Sequence, residues 1–387
     1  MKKRFIGLFL FFLILTKAFT SDSVEKIIRE MPLREKIGQL FIIRPESIDE
    51  KILENNARNK SDYGIEALSL ENIEFYNHYP AGGFILFARN INNPEQVKKF
   101  TEQLHRLGNI KPLICIDEEG GRVARLANKA DFNLPKFENA KAIGKSGSPE
   151  LAFDMGQIIG KYLFEYGFDV DFAPIADIDT NPDNPVIGDR AFGSKPEIVS
   201  EFAFEMLKGL ESENIAGCYK HFPGHGDTNT DTHLSQTFLY KNWEELLSCE
   251  LIPFMDGIKK NIPMIMTAHI VLPEITGDSS PASLSNTVIT GIIREEFNYD
   301  GLLITDSLTM KAITNQYSNE ESAVQTILAG NDFILLPPDY KEAYEAVLNA
   351  VKCGIIDEKR IDESLRRILN FKEKRINFSK FCDLALD

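Results

Sequence analysis

Eight short apolar runs, separated by stretches with helical spacing, constrain this sequence more than any other feature. They lie at Leu40–Ile43, Gly83–Phe87, Leu113–Ile116, Val170–Ile175, Ile215–Tyr219, Met264–Thr267, Leu302–Thr305 and Phe333–Leu336. Polar residues scarcely alternate within them, which is the pattern of strands buried on both faces of a parallel sheet. Helices are expected between them at Asn93–Leu107, Glu150–Tyr166, Ile198–Leu210, Trp243–Ile258, Asn286–Phe297, Glu320–Leu328 and Tyr340–Val351. Asp357–Lys372 closes the chain. Eight such units predict an α/β fold, a single (β/α)8 TIM-type barrel. A doubly wound open sheet is the alternative. With 387 residues, 43% of them hydrophobic, and no Pro/Ser-rich linker, one large domain is expected.

In a barrel, chemistry collects at the C-terminal ends of the strands. The sequence obeys that rule. Asp117 follows the third run, Asp177 the fourth, Lys220 and His221 the fifth, His269 the sixth and Asp306 the seventh. The opposite ends read as turns, among them Lys111-Pro112, Asp300-Gly301 and Asn331-Asp332.

Residues 1–20 are set aside as a signal peptide. Lys2, Lys3 and Arg4 precede the apolar run Phe5–Leu15, which is too short to span a bilayer. The expectation is an exported protein, periplasmic or extracellular, with residues 21–387 as the catalytic domain. The alternative is tethering by an uncleaved leader. The leader carries four basic and no acidic side chains, so its removal takes the net charge from −15 to −19. Such a surface repels nucleic acid and anionic headgroups, and no stable membrane insertion is expected once the leader is gone. The five cysteines have no Cys-x-x-Cys spacing; Cys115 and Cys218, inside apolar runs, are expected as buried thiols.

Lys220-His-Phe-Pro-Gly-His-Gly-Asp-Thr-Asn-Thr-Asp-Thr-His233 packs three of six histidines into fourteen positions. Asp231 and His233, one residue apart, share a face of an extended loop. A carboxylate beside an imidazole orients its tautomer and favours its protonated form, which suits general acid/base work. His221, His225 and His233 with Asp306 also admit a metal reading. Pro223, with Gly224 and Gly226 after it, breaks the helical presentation such a site needs, so no metal is expected, and His225 reads as packed inside the loop. Asp306 ends an apolar strand abruptly; it is either a helix N-cap or a carboxylate held for chemistry. Asp117-Glu-Glu-Gly-Gly-Arg-Val-Ala-Arg125 offers two glycines for close backbone approach to a ligand, and Asp117 and Arg125 for hydroxyls. Arg190, in a Pro/Asn/Gly-shaped loop, is either a substrate clamp or a surface arginine.

Taken together, these segments resemble glycoside hydrolase family 3, and within it the single-domain β-N-acetylhexosaminidases that recycle peptidoglycan. The resemblance rests on the Lys220 segment with Asp231-Thr-His233, Ile116-Asp-Glu-Glu-Gly-Gly-Arg-Val and Asn184-Pro-Val-Ile-Gly-Asp-Arg. Gly82-Gly-Phe-Ile-Leu-Phe-Ala-Arg-Asn and Glu35-Lys-Ile-Gly-Gln-Leu add to it, and it runs from about Val24 to Phe371. It implies a retaining mechanism with Asp306 as nucleophile and His233, supported by Asp231, as acid/base. Asp117, Arg125, Arg190, Lys220 and His221 fall on positions that bind N-acetylglucosamine. The resemblance implies a carbohydrate substrate and no cofactor; a monomer is expected. Ser307 and Thr232 stand where relatives carry aspartate and serine. A β-N-acetylglucosaminide phosphorylase or a β-glucosidase is the near alternative; a metal-dependent barrel hydrolase and a non-catalytic sugar-binding protein are the distant ones.

Overall fold

Residues 23–51, 64–232 and 234–376 are described in the computed structural model. The 1–20 leader, Cys382 and His233 lie outside these residues.

The apolar runs form the strands, numbered here in chain order. These are β1 (Phe41–Ile43), β2 (Gly83–Ile85), β3 (Leu113–Ile116), β4 (Val170–Asp171), β5 (two segments, Ala216–Gly217 and Tyr219–Phe222), β6 (Met264–Thr267), β7 (Leu302–Thr305) and β8 (Ile334–Leu335). All their residues are buried, as strands without polar alternation require. The first ribbon is parallel and six-stranded, in the order β8–β1–β2–β3–β4–β5, registered at Ile42↔Gly83, Gly83↔Leu113 and Cys115↔Val170. The second is β7–β6–β5, with Met264↔Leu302 and Thr267↔Thr305 in step. β5 thus belongs to both ribbons through its two segments. The architecture is α/β, with a mostly parallel sheet and the helices between its strands in sequence.

Three departures from the expected elements have local causes. β4 stops at Asp171, although Ile175 rejoins the ladder in a parallel bridge to Lys220. Pro174 lies in between and has no N–H to donate. The expected helix Trp243–Ile258 is two helices, Trp243–Ser248 and Ile252–Lys259. Pro253 cannot donate to the carbonyl four residues back, so the second helix starts afresh with that proline in its first turn. Asn286–Phe297 is helical over Thr287–Glu296 but wound as a π-helix. Elsewhere the caps act as their sequences suggest. Ser318 and Glu321 form a capping box at the head of Asn319–Ala329.

Cys115 and Cys218 are buried free thiols. Beneath the strands, at their N-terminal ends, the last helix (Glu358–Ile376) is stitched to distant parts of the chain. Arg366 pairs with both oxygens of Glu25, Lys36 with Glu358 at 2.9 Å and Asp362 at 2.7 Å, and Arg375 with Glu211. Lys372 is fully buried and donates to Gln39 Oε1 (2.7 Å) and the Gly82 carbonyl (2.8 Å). No helix among the described residues is long and apolar enough to cross a membrane.

Candidate active site

The site begins where β3 ends. Asp117 leaves the strand and the chain turns into an antiparallel hairpin, Glu118–Gly120 against Val123–Ala124. Alternation along an extended segment sends Asp117 and Glu119 one way and Glu118 the other. Glu118 faces inward, takes the Tyr162 hydroxyl at 3.0 Å, and accepts the backbone N–H groups of Arg125, Leu126 and Ala127. It therefore fixes the stretch that carries Arg125. Burial pushes the Glu118 carboxyl above its usual range, despite these donors. Gly120 and Gly121 have φ of +86° and +55°, and a Cβ on either would strike Met155 or Asn139. They serve the turn and its packing, not the approach of a ligand as the sequence suggested.

Glu119 is the centre of an ion-pair cluster. It forks Arg190 through Nε (2.9 Å) and Nη2 (2.7 Å) and meets Lys220 Nζ at 2.7 Å. Lys220 also donates to Asp117 at 2.9 Å, and Arg125 reaches the other Asp117 oxygen at 3.4 Å. Burial alone would neutralise Glu119; Arg190 and Lys220 outweigh it and hold the carboxyl well below the usual range. Burial likewise disfavours the Lys220 charge, yet Asp117 and Glu119 push its pKa above the ordinary lysine value. Glu119, Arg190 and Lys220 thus hold one another charged, and the Glu119–Arg190 pair is bidentate. The Arg190 side chain is only 13% exposed and belongs to this cluster, so it is not a free surface arginine.

Asp177, beyond β4, organises the fifth strand's exit. Its Oδ1 accepts the N–H groups of His221 (3.0 Å) and His225 (2.6 Å), and its Oδ2 takes His221 Nδ1 at 2.7 Å. Burial opposes its charge, but His221 and His225 lower its pKa. The His221 ring is left with Nε2 for the cavity. Both ring nitrogens of His225 are engaged within the loop, with Thr228 Oγ1 at 2.8 Å and Thr232 Oγ1 at 3.2 Å. Burial and the neighbouring His221 push its pKa down, favouring a neutral imidazole. Asn184 braces the 181–193 loop against this one, donating to the carbonyls of His225 (2.8 Å) and Thr228 (3.0 Å).

Asp306 follows β7 directly, its N–H bound to the Thr267 carbonyl at 2.9 Å. The next helix is Lys311–Thr314, capped at Met310, so Asp306 is not its N-cap. Instead Oδ1 accepts the Ser307 N–H at 2.7 Å. His269, after β6, supports that turn by spanning Ser283 Oγ (2.7 Å) and the Ser307 carbonyl (3.0 Å).

Asp117, Arg125, Arg190, Lys220, His221 and Asp306 all line one cavity of about 550 Å³. Thr232 lines it too and is held by the Ala312 N–H at 3.1 Å, whereas Asp231 is half-buried just outside the wall. His233, the remaining sequence candidate, is outside the described residues. Sequence reasoning passed over Arg44, Arg89, Lys311 and the central role of Glu119. Arg44 stands immediately after β1, so the strand-end rule already pointed to it. With those additions the lining holds six Arg or Lys side chains (44, 89, 125, 190, 220, 311) against Asp117, Glu119 and Asp306. The lining is basic although the chain is acidic overall.

A strand-end carboxylate opening onto fixed, ion-paired hydrogen-bonding groups is the arrangement of an α/β barrel-type site for a polar, hydroxyl-rich ligand. Residues 32–371 match the glycosyl hydrolase family 3 N terminal domain, and the chain belongs to that family, whose N-terminal domain is a TIM-like α/β barrel. It is 32% identical over 329 residues to beta-hexosaminidase A of Pseudoalteromonas piscicida, covering 78% of this chain and 54% of that protein. It is 35% identical over 272 residues to the beta-hexosaminidase of Nitrosomonas eutropha, covering 70% and 77%. A solved family 3 beta-N-acetylglucosaminidase from Paenibacillus sp. superposes with a TM-score of 0.81 at 36% identity, over 89% of this chain and 63% of that one. The chain therefore spans about half of the Pseudoalteromonas protein and under two thirds of the Paenibacillus one.

Proposed function

We propose that this protein is a retaining β-N-acetylhexosaminidase that removes terminal β-linked N-acetylglucosamine from peptidoglycan fragments or related glycosides. The observation that carries the reading is Asp306, a carboxylate at an apolar strand's end in the same cavity as the Asp117–Lys220–Glu119–Arg190 cluster. The relatives named beta-hexosaminidase support the substrate class. In the first step an Asp306 oxygen attacks the anomeric carbon, the glycosidic C–O bond breaks, and His233 gives its proton to the departing oxygen. In the second, His233 takes a proton from water, whose oxygen displaces Asp306 from the sugar. Asp231 orients His233, while Asp117, Arg125, Arg190, Lys220 and His221 hold the sugar's polar groups.

The scaffold of this reading is a closed (β/α)8 barrel. The parallel bridge Ile304↔Phe333, between β7 and the residue before β8, supports closure. The rest of the reading is an exported monomer whose 1–20 leader directs it across a membrane and whose catalytic domain is 21–387. Phosphorolysis is a second reading, favoured by the basic excess of the lining: a neutral His233 leaves room for phosphate to replace water. Turnover of 4-nitrophenyl β-N-acetylglucosaminide and of the matching β-glucoside, each with and without inorganic phosphate, tests both. Hydrolysis of the first alone supports the proposal; a sugar 1-phosphate product replaces it with the second reading, and inactivity on both refutes it.

A further inference from the structure

We propose that Phe238 and Tyr240 form a stacking platform for a pyranose ring on the leaving-group side of the substrate. The two residues lie at the far end of the loop that carries Asp231 and Thr232. Thr237–Phe238 pairs in parallel with Ile270–Val271, and Leu239, buried between the two aromatics, donates its N–H to the Val271 carbonyl at 2.9 Å. Two-residue spacing in an extended segment puts Phe238 and Tyr240 on one face. Their planes are 8° apart with centroids 5.8 Å apart, and Tyr240 is 69% exposed. Leu234, on the same loop, is 66% exposed. A grouped apolar surface of this kind in water marks a contact site rather than a core.

The platform is tied to the cavity wall through its own loop. Thr232 is in the cavity wall, and the hydroxyls of Thr230 and Thr237 meet at 2.8 Å, which folds the loop back and places Phe238 next to that junction. The proposal rests on the reading of His233 as the proton donor to the departing oxygen. On that reading the leaving sugar emerges on the side of this loop, where it meets the two rings. A neutral pyranose ring presents flat C–H faces that stack on aromatic planes while its hydroxyls stay in water, so an uncharged sugar is the occupant this surface fits.

The test compares two substrates with leaving groups of opposite size, β-N-acetylglucosaminyl fluoride and the β-1,4-linked trisaccharide of N-acetylglucosamine. The quantity read is the ratio of kcat/KM for trisaccharide over fluoride. In the doubly substituted Phe238→Ser/Tyr240→Ser protein this ratio is expected to fall about tenfold, the order that two lost ring contacts imply. Phe238→Tyr is expected to keep it. An unchanged ratio in the double variant, with the parent active on both substrates, overturns the platform and leaves the proposed activity standing. Inactivity of the parent on both substrates overturns that activity and the platform with it. If sedimentation shows a dimeric parent that the double variant makes monomeric at unchanged ratio, the rings are an interface between copies and the proposal is overturned.

Discussion

At the N-terminal ends of the strands, Asp332 is fully buried and all its capacity is filled by the chain itself. Its Oδ1 accepts from Ser364 (2.8 Å) and Arg367 (3.3 Å), and its Oδ2 from Arg294 (2.5 Å) and the Leu303 N–H (2.9 Å). At the C-terminal ends, Glu119 is equally encased in cations, but its partners Lys220 and Arg190 line an open cavity. Nearby, Arg125 Nε is buried with no acceptor among the described residues. The two clusters use the same chemistry to different ends. A charge network saturated by its own chain fastens elements together; one that leaves donors facing a cavity holds them ready for a ligand.

The sharpest separation should come from Asp306. Asp306→Ala is expected to lower turnover of an aryl β-N-acetylglucosaminide by at least about a thousandfold, because the group that attacks is removed. Its melting midpoint should stay within about 3 °C of the parent. Near-normal turnover would end the nucleophile assignment. Asp332→Ala should do the reverse, destabilising the fold by about 3–5 kcal/mol in urea unfolding, since buried arginines lose their counter-charge. KM of the protein that remains folded should not change; a shifted KM with intact stability would erase the contrast between the two ends. Glu119→Gln tests the middle ground. A kcat/KM loss of about 10- to 100-fold is expected, mostly in KM, because Lys220 and Arg190 lose their common anchor.

The smallest effect concerns Lys372, whose pKa burial lowers from 10.5 to about 7. Its two acceptors are neutral, and an uncharged amine has two N–H groups to match them. Between about pH 7 and 10.5 the unfolded chain holds a proton there that the folded chain does not. Stability should therefore rise with pH across that window. Lys372→Met should flatten the rise, read as urea midpoints at pH 7 and 9; an unaltered slope would show that another group titrates.

Much of this was legible in the sequence because burial on both faces leaves an unmistakable pattern. β6 and β7 coincide with their apolar runs residue for residue. Six substrate- or nucleophile-type candidates converge on one cavity because strand ends in such a fold converge. The hairpin after β3 was not legible, since Asp-Glu-Glu-Gly-Gly carries no strand propensity and reads as a turn. Nor does a run of three acids show by itself which way each side chain faces. Extended geometry instead sends Glu118 to Tyr162 and Glu119 to Arg190, a division that depends on the hairpin. Arg44 was overlooked for a different reason: an arginine after a strand is common on surfaces, and only the shared cavity gives it meaning.

The stitching of the last helix bears on when this domain becomes complete. Arg366 meets Glu25 across 341 positions of sequence, and Lys36 meets Asp362 across 326. Contacts of that span close very long loops, a slow and entropically unfavourable step in folding. The helix that supplies them follows every strand of the sheet in the chain. A nascent chain short of residue 358 has every group of the cavity but lacks the helix that ties β1 and β2 to the far end of the sequence. Assembly should therefore be late and cooperative, with the fold of this domain reached only after its helix Glu358–Ile376 has been made.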